Sequence, residues 1–100
     1  MGKLVRDKIP HIIEASGATP LTRILETEEY LSCLETKLDE EVQEFHESKS
    51  PEELADILEV VYALASSIGC SREELMEIYQ KKHDARGGFA EKILLISSEK

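Results

Sequence analysis

Apolar residues in this chain recur at helical spacing in four places. Leu4, Val5, Ile9, Ile12 and Ile13 form the first group. Pro10 suits a first helical turn there, and Ser16-Gly17 stops it. Leu31, Leu34, Leu38, Val42 and Phe45 trace one stripe, which predicts a long amphipathic helix. Thr27 caps that helix, Glu28 and Glu29 suit its dipole, and it runs to between His46 and Lys49. Ser48-Lys-Ser-Pro51 then breaks the chain. Ser50 caps the next helix, and Glu53 three residues later completes a capping-box pattern. Leu54, Ile57, Val60, Val61, Leu64 and Ile68 carry its stripe until Gly69 ends it. Ser71-x-x-Glu74 opens the last helix, whose stripe is Leu75, Ile78 and Tyr79.

Two stretches lack the helical period. Thr19-Pro20 disfavours helix, and residues 20–25 read as a short extended segment. Residues 92–96, Lys-Ile-Leu-Leu-Ile, read as a short strand able to pair with 21–25, or as a helix end. Residues 97–100 are expected to fray. Residues 60–68 contain no charge and are apolar around most of the helix circumference, so burial is expected on most sides. The expected fold is therefore all-α: one domain over residues 1–100, with a helical hairpin packing into a multi-helix bundle. A second subunit completes the bundle, and short extended segments lie near 21–25 and 92–96.

Charge disturbs this pattern at one point. Glu41-x-x-Glu44 and Glu53-x-x-Asp56 are acid pairs, and the i, i+3 spacing puts each pair on one helical face. At about 100° per residue, Glu41 falls inside the apolar stripe and Glu44 on its border. Asp56 flanks the second stripe. Glu40, Glu47 and Glu52 fall where solvent is expected. Facing helices would bring four carboxylates together beside an apolar core. Two such charges 4 Å apart repel by about 4 kcal/mol at an effective dielectric of 20. A hard divalent cation offsets that repulsion, and carboxylate oxygens are the ligands Mg²⁺ prefers. The plainer alternative is a solvated charged face, with Lys37 pairing Glu41 at i, i+4.

Composition narrows the classes. At 100 residues, with 41% hydrophobic, the chain has material for one small core. No apolar run approaches the ~20 residues of a membrane span, and no signal-peptide apolar region is visible, so a cytoplasmic protein is expected. Cys33 and Cys70 are too few for a disulfide framework and read as small apolar filler. A formal charge of −9 argues against binding a nucleic-acid polymer, but not against a nucleotide held through a metal.

Cations gather at two places. Lys3, Arg6 and Lys8 read first as charge balance, and only second as a phosphate contact. Lys81, Lys82, His83 and Arg86 precede Gly87-Gly88. They suit either the helix dipole or a flexible clamp on a phosphate chain. The Glu-x-x-His of a di-iron bundle is absent, because Gln43-x-x-His46 and Gln80-x-x-His83 stand in its places.

Glu41-Val-Gln-Glu44 followed by Glu53-Leu-Ala-Asp56 resembles the E-x-x-E … E-x-x-D signature of the all-α nucleoside triphosphate pyrophosphohydrolases. These are the MazG-like and phosphoribosyl-ATP pyrophosphohydrolase families. Lys3-Leu-Val-Arg-Asp-Lys-Ile-Pro10, Thr22-Arg-Ile-Leu25, Ala55-Asp-Ile-Leu-Glu-Val60 and Arg86-Gly-Gly-Phe89 extend the resemblance to a small single-domain branch over nearly the whole chain. Eight residues separate Glu44 from Glu53, fewer than in many MazG-like members, which tightens the hairpin. The resemblance implies Mg²⁺-dependent hydrolysis between the α and β phosphates, with Mn²⁺ as a substitute, giving a monophosphate and pyrophosphate in a house-cleaning role. It implies Glu41, Glu44, Glu53 and Asp56 as metal ligands and catalytic groups. Lys81, Lys82 and Arg86, with Arg6 and Lys8 behind them, are the candidates to hold the leaving pyrophosphate. It also supports a homodimer, or a tetramer. Phosphoribosyl-ATP as substrate, a non-catalytic helical interaction module and a nucleotide sensor without turnover are the alternatives.

Overall fold

The computed structural model describes residues 2–99 and contains four helices in this order: α1 Ile9–Ala15, α2 Thr27–Ser48, α3 Pro51–Ser67 and α4 Arg72–Arg86. No strand occurs among the described residues, so the chain is all-helical as its periodicity predicts. The local signals explain most of the boundaries. Pro10 lies in the first turn of α1, and Gly17 follows its end at φ 96°, a conformation that costs glycine no β-carbon clash. Lys49 ends α2 in the left-handed conformation at φ 55°, and its N–H reaches Phe45 O at 2.8 Å. Only Lys49 and Ser50 separate α2 from α3, so the two helices form a tight hairpin.

The Ser50 hydroxyl accepts the N–H of Glu52 at 3.1 Å and caps α3. At the other end of α3, Gly69 donates to Ser66 O and Cys70 to Ala65 O, which is a Schellman closure. Ser71 and Glu74 form the predicted capping box at α4, with both reciprocal bonds present.

Three sequence expectations need correction. Thr27 is the first helical residue rather than the cap. Glu26 takes the cap position with no side-chain bond, because Thr27 already has helical geometry and its hydroxyl no longer faces the free amides. The box at Ser50 is only half formed: the Glu53 carboxylate takes the Ser48 hydroxyl at 3.4 Å, and Ser48 Oγ, not Glu53, accepts the Ser50 N–H. Residues 21–25 and 92–96 do not pair. Both lack regular structure, and Leu21, Ile24 and Ile93 to Ile96 are almost wholly exposed, with no neighbouring edge to take their backbone bonds.

The core lies in the seam between α2 and α3. Leu34, Val60 and Ala65 are its buried apolar residues. Helix α4 packs only on α3, at a bend of 108°, through Tyr62. The Tyr62 hydroxyl meets Met76 Sδ at 3.9 Å, and the Arg72 guanidinium lies 4.2 Å from the Tyr62 ring centroid. Helix α1 packs on no other helix. The result is long, with extents of 63 × 32 × 22 Å and a radius of gyration of 17.9 Å, where a compact domain of this length has about 13 Å. Burial of residues 60–68 is therefore incomplete within one chain. Val60 and Ala65 are buried, but Ile68 is 71% exposed, as are about half of Leu54 and Leu58. No single described helix is long and apolar enough to cross a membrane.

Helix α4 has no buried residue, so its start depends on the capping box more than on packing. Ser71→Ala should lower stability by about 0.5–2 kcal/mol, and hydrogen exchange should show the added opening concentrated in the first turn of α4. An equal loss spread over the α2–α3 hairpin would contradict this account.

A candidate metal centre in the α2–α3 seam

Leu34 is the best buried apolar residue of α2, and Glu41 stands seven residues later on the same face. Glu41 is accordingly buried, only 6% exposed, with its carboxylate in the seam. From α3, Glu53 in the first turn and Asp56 one turn on project toward it. One carboxylate oxygen from each of Glu41, Glu53 and Asp56 lies within 4.8 Å of the others. Glu40, Glu41 and Glu44 make a second such group along α2, sharing Glu41. The two predicted pairs are thus brought together across the hairpin with Glu41 at the centre, and Glu44 lies on the exposed side.

The half-formed cap at Ser50 contributes to this. The Glu53 carboxylate is not drawn back onto its own helix N-terminus. It stands beside the seam and accepts the Ser48 hydroxyl.

Charges at this spacing repel one another by about 3 kcal/mol or more at an effective dielectric of 20. Cations partly offset that. Lys37 Nζ, itself mostly buried, lies 3.5 Å from Glu41 Oε1 and 3.4 Å from Glu40 Oε1. Arg6 reaches from the N-terminal segment to Asp56 at 3.2 Å and Glu59 at 3.3 Å. The second oxygen of Glu41, Oε2, is buried without a hydrogen-bond partner among the described residues. A buried carboxylate oxygen with no donor is expensive. The Glu41 carboxyl responds as expected: burial first, and then the Glu44 carboxyl beside it, push it above the usual carboxylate range. Asp56 adds to this, and Lys37 opposes it.

The donor set is all oxygen and anionic, the choice of a hard divalent cation, and the orphaned Glu41 oxygen is the atom such an ion would satisfy. Glu41, Glu53 and Asp56 are therefore the residues fitted to hold a metal, with Glu44 and Glu40 adjoining.

Several expectations change in detail. Glu40 was expected in solvent, yet it is half-buried and turned toward Lys37, because the i, i+3 neighbour draws its carboxylate down the helix. Glu47 and Glu52 are exposed, as expected. Of the predicted phosphate-binding cations, Arg6 alone reaches the acid cluster. Lys8 is exposed beside it in sequence, and no ion pair among the described residues joins Lys8, Lys81, Lys82 or Arg86 to these acids. Arg86 instead lines a surface cleft with Gly87, Gly88, Phe89 and Lys92. His11, His46 and His83 are exposed and belong to neither acid group.

One participant is new and another differs in burial, though Lys37 pairs with Glu41 at i, i+4 as its spacing suggests. Glu59 extends the series Glu53, Asp56, Glu59 by one more step of three, a signal that was present. Lys37 reads as a surface partner and is a seam residue.

The chain matches no family model and no solved structure. It is similar to a protein of Mycolicibacterium smegmatis described as uncharacterized, at 57% identity over 44 residues. The match spans 44% of this chain and 45% of that relative's length.

Because Glu41 holds its proton more tightly when folded, its ionisation opposes folding. Below the unfolded value of 4.5 both states are protonated and the residue contributes nothing. As pH rises through 4.5 the unfolded chain releases the proton first and stability falls, until the folded carboxyl also ionises. In chelator, Glu41→Gln should therefore match the parent in acid and become the more stable protein as pH rises toward neutrality. Urea melts across that range would show it. A stability gap independent of pH would remove Glu41 as the strained group.

Proposed function

We propose that this protein is a metal-dependent nucleoside triphosphate pyrophosphohydrolase, with Mg²⁺ as its ion and Mn²⁺ as a substitute. The observation that carries the reading is the buried, partnerless oxygen of Glu41 among the carboxylates of Glu53 and Asp56. The sequence supports it independently, because these acids are the ones that resemble the MazG-like signature. In this reading Glu41, Glu53 and Asp56 hold the ion, with Glu44 at the rim. The bound ion supplies neutralisation of phosphate charge and a more acidic attacking water. A carboxylate of the group would accept the proton of the attacking water, whose oxygen would add to a phosphorus of the α–β anhydride as the bridging P–O bond breaks. Nucleoside monophosphate and pyrophosphate are the products.

The phosphate chain needs cations, and Arg6 is the one at hand. Lys81, Lys82 and Arg86 lie on α4, which turns through 108° after α3; Lys81 is about 13 Å along that helix from its start. We therefore assign the working form to a homodimer, or a tetramer built from it. Its supports are the exposed apolar surface of Leu54, Leu58, Ile68, Met76, Ile78 and Tyr79, and a shape too extended for one chain to bury its own helices.

Incubation of nucleoside triphosphates with protein and Mg²⁺ should release pyrophosphate rather than orthophosphate. Glu41→Leu should abolish release while leaving the fold intact, since one buried Leu contributes roughly 1.5–3 kcal/mol and the repulsion is gone. Asp56→Asn should also abolish it. Glu47→Gln, exposed on the far side, should retain it. Turnover by Glu41→Leu near the parent rate would end the metal-site reading, and no pyrophosphate release by the parent would leave a helical interaction module.

Sedimentation at micromolar concentration should give a mass at least twice that of the chain. A folded monomer there would overturn the dimer.

A further inference from the structure

The N-terminal segment lies across the acid cluster and touches both arms of the hairpin. Gly2, Lys3 and Leu4 line a cleft with Cys33, Thr36, Lys37 and Glu40 of α2. Two residues further on, Arg6 crosses to α3 and spreads its guanidinium over Asp56 and Glu59, one nitrogen to each. Such a fork reaches carboxylates at i and i+3 on a helix with a separate nitrogen for each, in a fixed planar geometry that a lysine does not offer. Little else secures the segment. Residues 2–6 have no regular structure, and α1 behind them packs on no helix. Arg6 itself is 60% exposed. Exposed ion pairs of this kind change an equilibrium by a factor of about five at most.

Asp56 therefore has two suitors. It is one of the two α3 carboxylates that converge on Glu41, and it is the anchor of the strap. An arginine and a divalent cation compete for one carboxylate, since each lowers its affinity for the other.

We propose that residues 2–6 are an exchangeable strap. A divalent cation at Asp56 releases Arg6, and the freed guanidinium then pairs with the phosphate chain of the nucleotide. This rests on the metal site of the proposed function and adds the order of events: Arg6 gives up a carboxylate on α3 for a phosphate of the substrate. Segment 2–6 then lies over the site when neither ligand is present and again when both are, and is loose with the ion alone. Phosphate oxygens offer the freed guanidinium parallel paired bonds, as a carboxylate does, and a phosphate chain adds a larger negative charge.

Opposite effects of one substitution test this. Without any phosphate compound, Arg6→Ala should bind Mg²⁺ about two- to fivefold more tightly by calorimetry. With Mg²⁺ saturating, the same variant should bind inorganic tripolyphosphate about tenfold or more weakly. Arg23→Ala is the charge control. It breaks a comparable exposed pair with Glu29, and that acid lies about 18 Å along α2 from Glu41. It should change neither affinity by more than twofold. In the parent protein, Mg²⁺ alone should speed tryptic cleavage after Arg6 relative to cleavage after Lys92, and adding tripolyphosphate should slow it again. If the parent binds Mg²⁺ and Arg6→Ala binds it equally or less well, the strap is wrong and the metal site stands. If the parent binds no Mg²⁺ at millimolar concentration, both are wrong.

Discussion

A carboxylate at a position that helical packing reserves for an apolar side chain governs this structure. Glu41 lies two turns after Leu34 on the same face of α2, and the seam between α2 and α3 closes over it. Burying a charge costs several kcal/mol even after relaxation. The apolar residues buried in the same seam, Leu34, Val60 and Ala65, contribute at most about 1.5–3 kcal/mol each. One acid thus opposes a large part of what the seam gains. Lys37 answers one of its oxygens, and none of the described residues answers the other. The remaining features of the centre bear on that imbalance. Glu53 is withheld from its own cap, Asp56 is bridged by an arginine from outside the hairpin, and the Glu41 proton is held tightly.

Helix existence and helix ends were readable because they are local. Period 3.6, Ser71-x-x-Glu74 and the glycine after α3 each act within a turn or two, and the structure follows them. The position of Glu41 was readable for the same reason, since the stripe of Leu34, Leu38 and Phe45 fixes which face is buried. What the sequence misplaced depends on contacts between distant segments. Residues 21–25 and 92–96 have strand-like composition, but a strand needs an edge to pair with, and neither meets one. Glu40 follows the pull of Lys37, which a wheel of helical angles does not contain. Arg6 and Asp56 are fifty residues apart, and no periodicity relates a loop to a helix face.

The half-formed cap on α3 shows how local and distant demands trade. Ser50 alone satisfies a free amide of the helix start, through Glu52. The pattern Ser-x-x-Glu normally returns the glutamate to the cap amide. Here Ser48 takes over that amide and also donates to Glu53, so one hydroxyl replaces the carboxylate in the turn and tethers it at the seam. The tight two-residue connection makes this substitution geometrically available, because it places the last hydroxyl of α2 beside the first turn of α3.

The separation of charges along the molecule bears on what the proposed reaction requires. The acids converge at the hairpin, while three of the cations that suit a phosphate chain lie on a helix that leaves it at 108°. Among the described residues of one chain, the cation that bridges to α3 from another segment is Arg6, and it is already engaged with carboxylates. A triphosphate carries more negative charge than one guanidinium balances, so its phosphates would need either the bound ion, the cations of α4 from a neighbouring copy, or both. The exposed apolar surface on α3 and α4 gives such a copy a reason to dock. The same surface that leaves the single chain long and thinly packed is then the surface that would bring cations to acids, which makes assembly and chemistry one requirement rather than two.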